Sequence, residues 1–337
     1  PHNSNLSGGL MFMLNDFNGV AIDQDYAQKR ALNEPLTEIT QVKGTSETHP
    51  FLSKNDEWAS FETGNRSIDN PKGSYVRNAY LRGLTLAEQG ITNPYKFGLI
   101  GSSDAHIGGG SDNEEVYFSK IGVLDGTAEL RGSIPFNRFY GTILKLIRPN
   151  AINEVDGKNY LAFSSRLIHW SASGLAGVWA EENTRESIYD AFRRKETFGT
   201  SGPRIKVRFF AGYGLANAQL NSLNLVSELY KRATSMGGTL KAEGEEEPVF
   251  LVWAISDALG APLQRTQIIK GWLEDGEHQE KVYDVSCSDG LKVNSQTHRC
   301  PDNRARVNLN DCSYDKDVGA SELKSLWQDP DFRAGQE

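Results

Sequence analysis

The chain has 337 residues, 38% of them hydrophobic and 24% charged, with a net charge of −8. That length supports a large core and predicts two units, because single cores stop growing near about 250–300 residues. The acidic balance without a basic cluster excludes a nucleic-acid scaffold, and no apolar run approaches the roughly 18 residues of a membrane-spanning helix.

The opening PHNSNLSGGLMF lacks a starting Met and any secretion signal. It reads as a strand end entering a loop, which predicts sequence upstream of Pro1. Asp25 to Glu34 reads as a helix ended by Pro35, and Leu36 to Val42 alternates apolar and polar residues as a strand does. Ser74 to Gln89 carries Val76, Ala79, Tyr80, Leu84 and Ala87 at near-helical spacing, with Arg77, Arg82 and Glu88 assigned to the wet face. The strand Lys96 to Ile100 follows. This alternation predicts an α/β layer or barrel, whose sites collect at the C-terminal ends of strands.

Gly122 to Trp170 reads as loop-rich. Gly174 to Trp179 follows as a small-residue strand, and Asn183 with Glu186 fits a capping box opening a helix from Thr184 to Lys195. Thr197 to Arg204 reads as a turn into a strand from Ile205 to Phe210. Beyond about residue 206 the runs Pro248 to Ile255, Gln264 to Leu273 and Glu280 to Cys287 are rich in β-branched and aromatic residues, predicting an antiparallel, sandwich-like module packed on the first unit. Cys287, Cys300 and Cys312 match no paired zinc spacing. Two readings stand for them: a disulfide in an oxidising compartment, most simply Cys287 with Cys300, or three free thiols.

The segment KFGLIGSSDAHIGGG, from Lys96 to Gly110, carries the strongest chemical signal. Asp104 and His106 are two residues apart, so on an extended segment both point to one side and can converge on a divalent ion, with glycines leaving room for substrate. An isolated pair of this kind is also compatible with a carboxylate that merely caps the next turn. His2 in PHNSN, and Glu47 with His49 in TSETHP, add imidazoles and a carboxylate in loops, the ligand types of zinc, manganese or iron. Glu38 is the polar member of an alternating strand. Arg204, after Gly202 and Pro203, is either an anion contact or a partner of an acidic neighbour. His169, His278 and His298 lack such company and read as structural or exposed. Ser102 and Ser103 have no GxSxG context, so a serine nucleophile is not expected.

The strings GLAGVWAEENTRESIYDAFRRKETFGTSGPRIKVRFF, KFGLIGSSDAH and QRTQIIKGWLEDGEHQEKVYDV, in that family's segments and spread over nearly the whole chain, resemble the DUF3604 family. That group of bacterial proteins is related to the PHP (polymerase and histidinol phosphatase) superfamily of metal-dependent phosphoesterases. The resemblance implies an incomplete PHP-like distorted (β/α)7 barrel over 1–205, with an appended antiparallel β-sandwich-like module over 206–337. It implies divalent metal ions (zinc, manganese or iron) held by His2, Asp104 and His106, and places Glu47 and His49 in or beside the site, His49 as ligand or proton donor. Lys43 and Arg204 are the expected grips on a small anionic substrate, such as a phosphomonoester. The HxH motif that opens PHP barrels is absent, which again predicts an upstream segment. Longer members carry export signals, so the resemblance also implies a periplasmic or secreted protein, and favours the disulfide. The competing expectation is a secreted binding protein without catalysis.

Overall fold

The computed structural model describes residues 1–63, 70–106, 108, 127–130, 134–161, 173–242, 244, 246–308 and 313–334. Ile107, Gly109 and Gly110 of the DAH loop, as well as His169 and Cys312, lie outside the described residues.

Helix α1 (Gln24–Asn33) opens on Asp23, whose Oδ1 accepts the Tyr26 N–H at 2.8 Å, satisfying one of the four amides a helix start leaves over. Strand β1 (Leu36–Gln41) pairs antiparallel with β2 (Gly44–Thr45) and parallel with β3 (Gly98–Gly101). Helix α2 (Val76–Glu88) lies between β1 and β3 in the chain and supplies the long crossover that parallel neighbours need. Val76, Ala79 and Leu86 on α2 bury against Phe12, Tyr95 and Phe97. Arg77, about 100° round the helix from Val76, is not on a wet face either: it meets Glu47, Asp56 and Glu280, and only 13% of its side chain is exposed.

The expected barrel does not form. Among the described residues β1 with β3 is the one parallel pair, and the remaining strand pairings are antiparallel, in small separate sheets without closure. Alternation of strand and helix in a sequence fixes neither partner nor direction. Here β4 (Ile152–Val155) forms a hairpin with β5 (Lys158–Leu161) across Asp156 and Gly157, both at positive φ, as a tight two-residue turn requires. Helix α3 (Arg138–Ile147), capped by Asn137, precedes that hairpin, so part of the stretch read as loop-rich is ordered. Strand β6 (Leu175–Val178) runs antiparallel to β7 (Thr197–Thr200), where a turn was expected, with α4 (Arg185–Arg193) between them. The cap of α4 is Thr184, which accepts the Ser187 N–H at 3.3 Å, and not Asn183.

Among the described residues the strands of the second half are antiparallel, as expected, and divide between one four-stranded sheet and a two-stranded hairpin. Strands β8 (Lys206–Gly212), β9 (Thr234–Ser235), β10 (Val249–Ile255) and β13 (Glu322–Gln328) make one antiparallel sheet in the order β13-β10-β8-β9. Its apolar side packs Phe210 and Leu251 against Leu225 and Leu229 of α5 (Leu225–Arg232). Strands β11 (Arg265–Glu274) and β12 (Glu277–Cys287) form a separate hairpin laid on α2. A Cβ at Gly271 would stand 3.1 Å from Leu81, and the His278 Nε2 meets the Thr85 Oγ1 at 2.8 Å.

Cys287 and Cys300 are joined in a disulfide. Asp284, in β12, is fully enclosed beside it and meets Arg265, Gln267, Arg299 and the Cys300 N–H. Burial alone would raise its pKa, but the Cys300 amide, Gln267 and Arg265 outweigh that and hold it below the usual carboxylate value. The stabilisation from a depressed pKa is complete above the unfolded-state value of about 4 and is lost as pH falls through the folded-state value. Asp284→Asn should therefore flatten the acid limb of a urea-denaturation stability profile below about pH 4 relative to the parent. A parallel fall in the two proteins would refute that role.

Candidate functional site

The parallel ladder aligns Leu36 with Gly98 and Glu38 with Ile100, then slips by one residue before Thr40 meets Gly101. The Ser102 N–H extends it to the Thr40 carbonyl at 3.0 Å. The ends of β1 and β3 thus deliver Lys43 and the Ser102–His106 loop side by side, the usual location of a ligand crevice in an open α/β sheet.

Glu38 is buried at 5% exposure. Its Oε1 accepts the Asn3 N–H at 3.1 Å and its Oε2 accepts the Ser102 hydroxyl, so a carboxylate that could have faced solvent is enclosed and partnered. Asn3 takes a left-handed backbone conformation, and its side-chain oxygen accepts from the Gln41 amide at 2.5 Å. Gln41 in turn accepts the Lys43 N–H at 2.8 Å, while Asn5 donates to the Lys43 carbonyl at 3.3 Å. The PHNSN segment is therefore stitched to the β1–β2 turn by side-chain amides. His2 itself is exposed, between two residues that both bond Glu38, Pro1 through its carbonyl and Asn3 through its amide.

Lys43 Nζ lies 2.7 Å from Asp104 Oδ2, with 25% and 12% of the two side chains exposed. Asp104 sits at φ +55°, so the segment is not extended there and the same-side rule for alternate residues does not apply. Asp tolerates this conformation better than most residues. His106 is exposed, and its Nδ1 stands 2.7 Å from the Asp104 carbonyl. A carbonyl only accepts, so in the neutral ring Nδ1 carries the proton and the lone pair is on Nε2.

Glu47 accepts two bonds from the Arg77 guanidinium, which also reaches Asp56 at 2.6 Å and Glu280 at 3.5 Å. His49 accepts the Phe51 N–H on Nδ1 at 3.2 Å, and its ring packs on Tyr75 at 5.6 Å. Burial lowers the His49 pKa, leaving it neutral at pH 7 with its proton on Nε2. Burial likewise pushes Tyr75 up to about 12. Arg204 is exposed ahead of β8, its backbone N–H donating to Asp257 at 2.7 Å. Two clefts of about 590 and 730 Å³ adjoin Arg77 and Glu280, and neither is lined by Lys43 or Asp104.

Close backbone packing sets the depth of the strand-end cluster. A Cβ at Gly101 would lie 2.7 Å from the Leu175 and Thr200 carbonyls, one at Gly174 would lie 2.8 Å from the Thr40 carbonyl, and one at Gly199 would lie 2.5 Å from the Gly101 nitrogen. The hydroxyls of Ser4, Thr40, Tyr75 and Ser173 are buried without hydrogen-bond partners.

The donor set does not match a bound metal as the side chains stand. Glu38 is engaged by Ser102 and Asn3, Asp104 faces an ammonium, and Glu47 faces a guanidinium. Among the described residues no three His, Cys, Asp or Glu side chains gather in a group able to hold an ion. What the arrangement offers is an enclosed carboxylate, a hydroxyl and a half-buried ammonium at one strand end.

The family model described as "Protein of unknown function (DUF3604)" matches residues 1–337. No curated protein and no solved structure matches the chain.

Proposed function

The chain belongs to the DUF3604 family, and from that premise and the strand-end cluster we propose that it is a hydrolase of a small anionic ester, with a phosphomonoester as the substrate class. The observation that carries the reading is the juxtaposition of Glu38, Ser102 and the Lys43–Asp104 pair at the ends of the two parallel strands. Lys43 supplies a positive charge for an anionic ester oxygen, and Asp104 orients it. Glu38, held by two donors, takes a proton from the water that attacks the ester, and as the bond to the alcohol breaks that proton passes to the departing alkoxide. His49, in the tautomer its Phe51 bond selects, donates a hydrogen bond from Nε2.

The relationship to PHP phosphoesterases is the finer part of the proposal and rests on resemblance in sequence. A divalent ion in such enzymes activates water and neutralises phosphoryl charge. The side chains described do not by themselves assemble a site for one, and this observation favours the second reading, a binding protein that holds an anion without turnover. The disulfide supports placement in an oxidising compartment, the periplasm or outside the cell.

A panel of phosphomonoesters, a sulfate ester and a carboxylic ester, assayed with metal analysis of protein purified without chelator, tests the proposal. Turnover should fall about 10²-fold or more in Glu38→Gln, and Lys43→Met should raise KM for charged esters more than for the neutral one. Absence of turnover across the panel, or full activity in Glu38→Gln, refutes the hydrolase. Saturable binding of orthophosphate without turnover establishes the binding protein instead.

A further inference from the structure

We infer that the cleft of about 590 Å³ between α2 and the β11–β12 hairpin is a binding site for a neutral saccharide. It is distinct from the strand-end cluster, and its volume lies in the range of about 300–1,000 Å³ that small-molecule sites occupy. Two regular elements build its walls. Asn78, Leu81 and Thr85 are spaced i, i+3 and i+7 on one side of α2, while His278, Glu280 and Val282 alternate along one face of β12. All six line the cleft. Bonds from His278 to Thr85 and from Arg77 to Glu280 tie the two walls together.

The bonds already made leave both donors and acceptors over. Asn78 is half-buried, and its Oδ1 accepts the Gly73 N–H at 2.8 Å, which leaves the Nδ2 protons to donate. Glu280, only 17% exposed, engages Arg77 through Oε1 at 3.5 Å, which leaves Oε2 to accept. The Thr85 hydroxyl donates to the Leu81 carbonyl at 3.3 Å. His278 therefore donates to Thr85 through Nε2 at 2.8 Å, and in the neutral ring Nδ1 keeps its lone pair. Burial, then Arg82 and Lys72, lower the His278 pKa, so the ring is neutral at pH 7. Among the described residues no other group takes up these atoms.

Charge and polarity select the ligand. The lining holds three acids, Asp56, Glu277 and Glu280, and three cations, Lys54, Lys72 and Arg77, so a ligand of either net charge meets no surplus of the opposite sign. An apolar ligand would take Asn78 and Glu280 out of water and return no hydrogen bond. A sugar hydroxyl both donates and accepts, and so suits an amide N–H, a carboxylate oxygen and an imidazole lone pair set in the same walls. Phe51 supplies the other kind of surface. It lines the cleft at 60% exposure, with its N–H fixed on His49 at 3.2 Å, and its ring offers an apolar, electron-rich face to the C–H side of a pyranose.

Isothermal titration of the full chain with glucose, galactose, mannose, N-acetylglucosamine, maltose and cellobiose tests the inference, with glucuronic acid, glucosamine and N-acetyl-triglycine amide for comparison. None of these probes is a phosphomonoester, so the outcome is independent of the hydrolase reading. At least one neutral sugar should bind saturably, and the charged sugars and the peptide at least about fivefold more weakly. Phe51→Ala, at an exposed position, should weaken binding about tenfold. Asn78→Asp, which keeps the acceptor for Gly73 and removes the donor to the ligand, should weaken it about tenfold as well. No saturable binding of any neutral sugar overturns the inference. So does a charged sugar or the peptide binding as tightly as the best neutral sugar, or unchanged affinity in either variant.

Discussion

Replacing Arg77 with methionine should cost about 3–5 kcal/mol of stability, read as a lower urea midpoint at unchanged slope. Arg77 is not one partner of a surface pair, whose loss would cost little. Its guanidinium meets Glu47, Asp56 and Glu280, and the Asp56 side chain is only 3% exposed. Burial works against the charged guanidinium, but the carboxylates outweigh it and raise the pKa further. Methionine keeps most of the apolar stem while leaving Asp56 enclosed without its countercharge. Adding Asp56→Leu to Arg77→Met should recover part of the loss, because the penalty comes from the orphaned charge more than from the missing attraction. A melting temperature for Arg77→Met within a degree or so of the parent would refute the assignment.

The pair of substitutions Cys287→Ser and Cys300→Ser should cost about 3 kcal/mol, the chain-entropy value for a loop of this size. The two cysteines are 13 residues apart, and the cross-link removes conformations from the unfolded chain that the folded one never uses. The same bond holds the Cys300 amide on the Asp284 carboxylate, so its loss should also raise the Asp284 pKa toward the ordinary value. Urea unfolding with and without reductant, run on parent and double variant, checks both effects. A parent indifferent to reductant at full reduction would show that the covalent link contributes nothing.

Much of the stretch from α1 to β3 was legible because local rules decide it. The apolar spacing of α2 and the short run that ends at Gly101 specify a helix and a strand, and a helical crossover between two strands permits a parallel pair. The barrel was not legible in the same way. Strand β6 shows the same small apolar residues whether it joins a parallel neighbour or turns back on β7, and its antiparallel choice depends on contacts far away in the chain. Helix α3 was lost for a related reason: its apolar side chains Phe139, Leu146 and Ile147 are exposed, so the surrounding polar and glycine residues made the stretch look like loop.

In the site, residue type was a better guide than spacing. The ion pair of Lys43 with Asp104 was not foreseen, since Asp104 was read as a metal ligand and Lys43 as a substrate contact, and the left-handed backbone at Asp104 breaks the extended geometry from which His106 was expected to share its direction. Arg77 was placed on the wet face because a charge on an amphipathic helix usually sits there. The signal that could have found it is the neighbouring supply of acids, Glu47 and Asp56, within one turn-rich segment. The amide network of Asn3, Asn5 and Gln41 gave no such signal, since side-chain amides pair by position and not by charge.

Where Gly101, Gly174 and Gly199 meet, main chain rests on main chain, and main chain has no rotamers. Repacking elsewhere can tilt or loosen side chains, but it has no lever by which to slide Ser102 relative to Glu38. The geometry of the cluster is thereby insulated from drift in the surrounding core, and its tolerance to change is concentrated in the loops that carry Lys43 and His106.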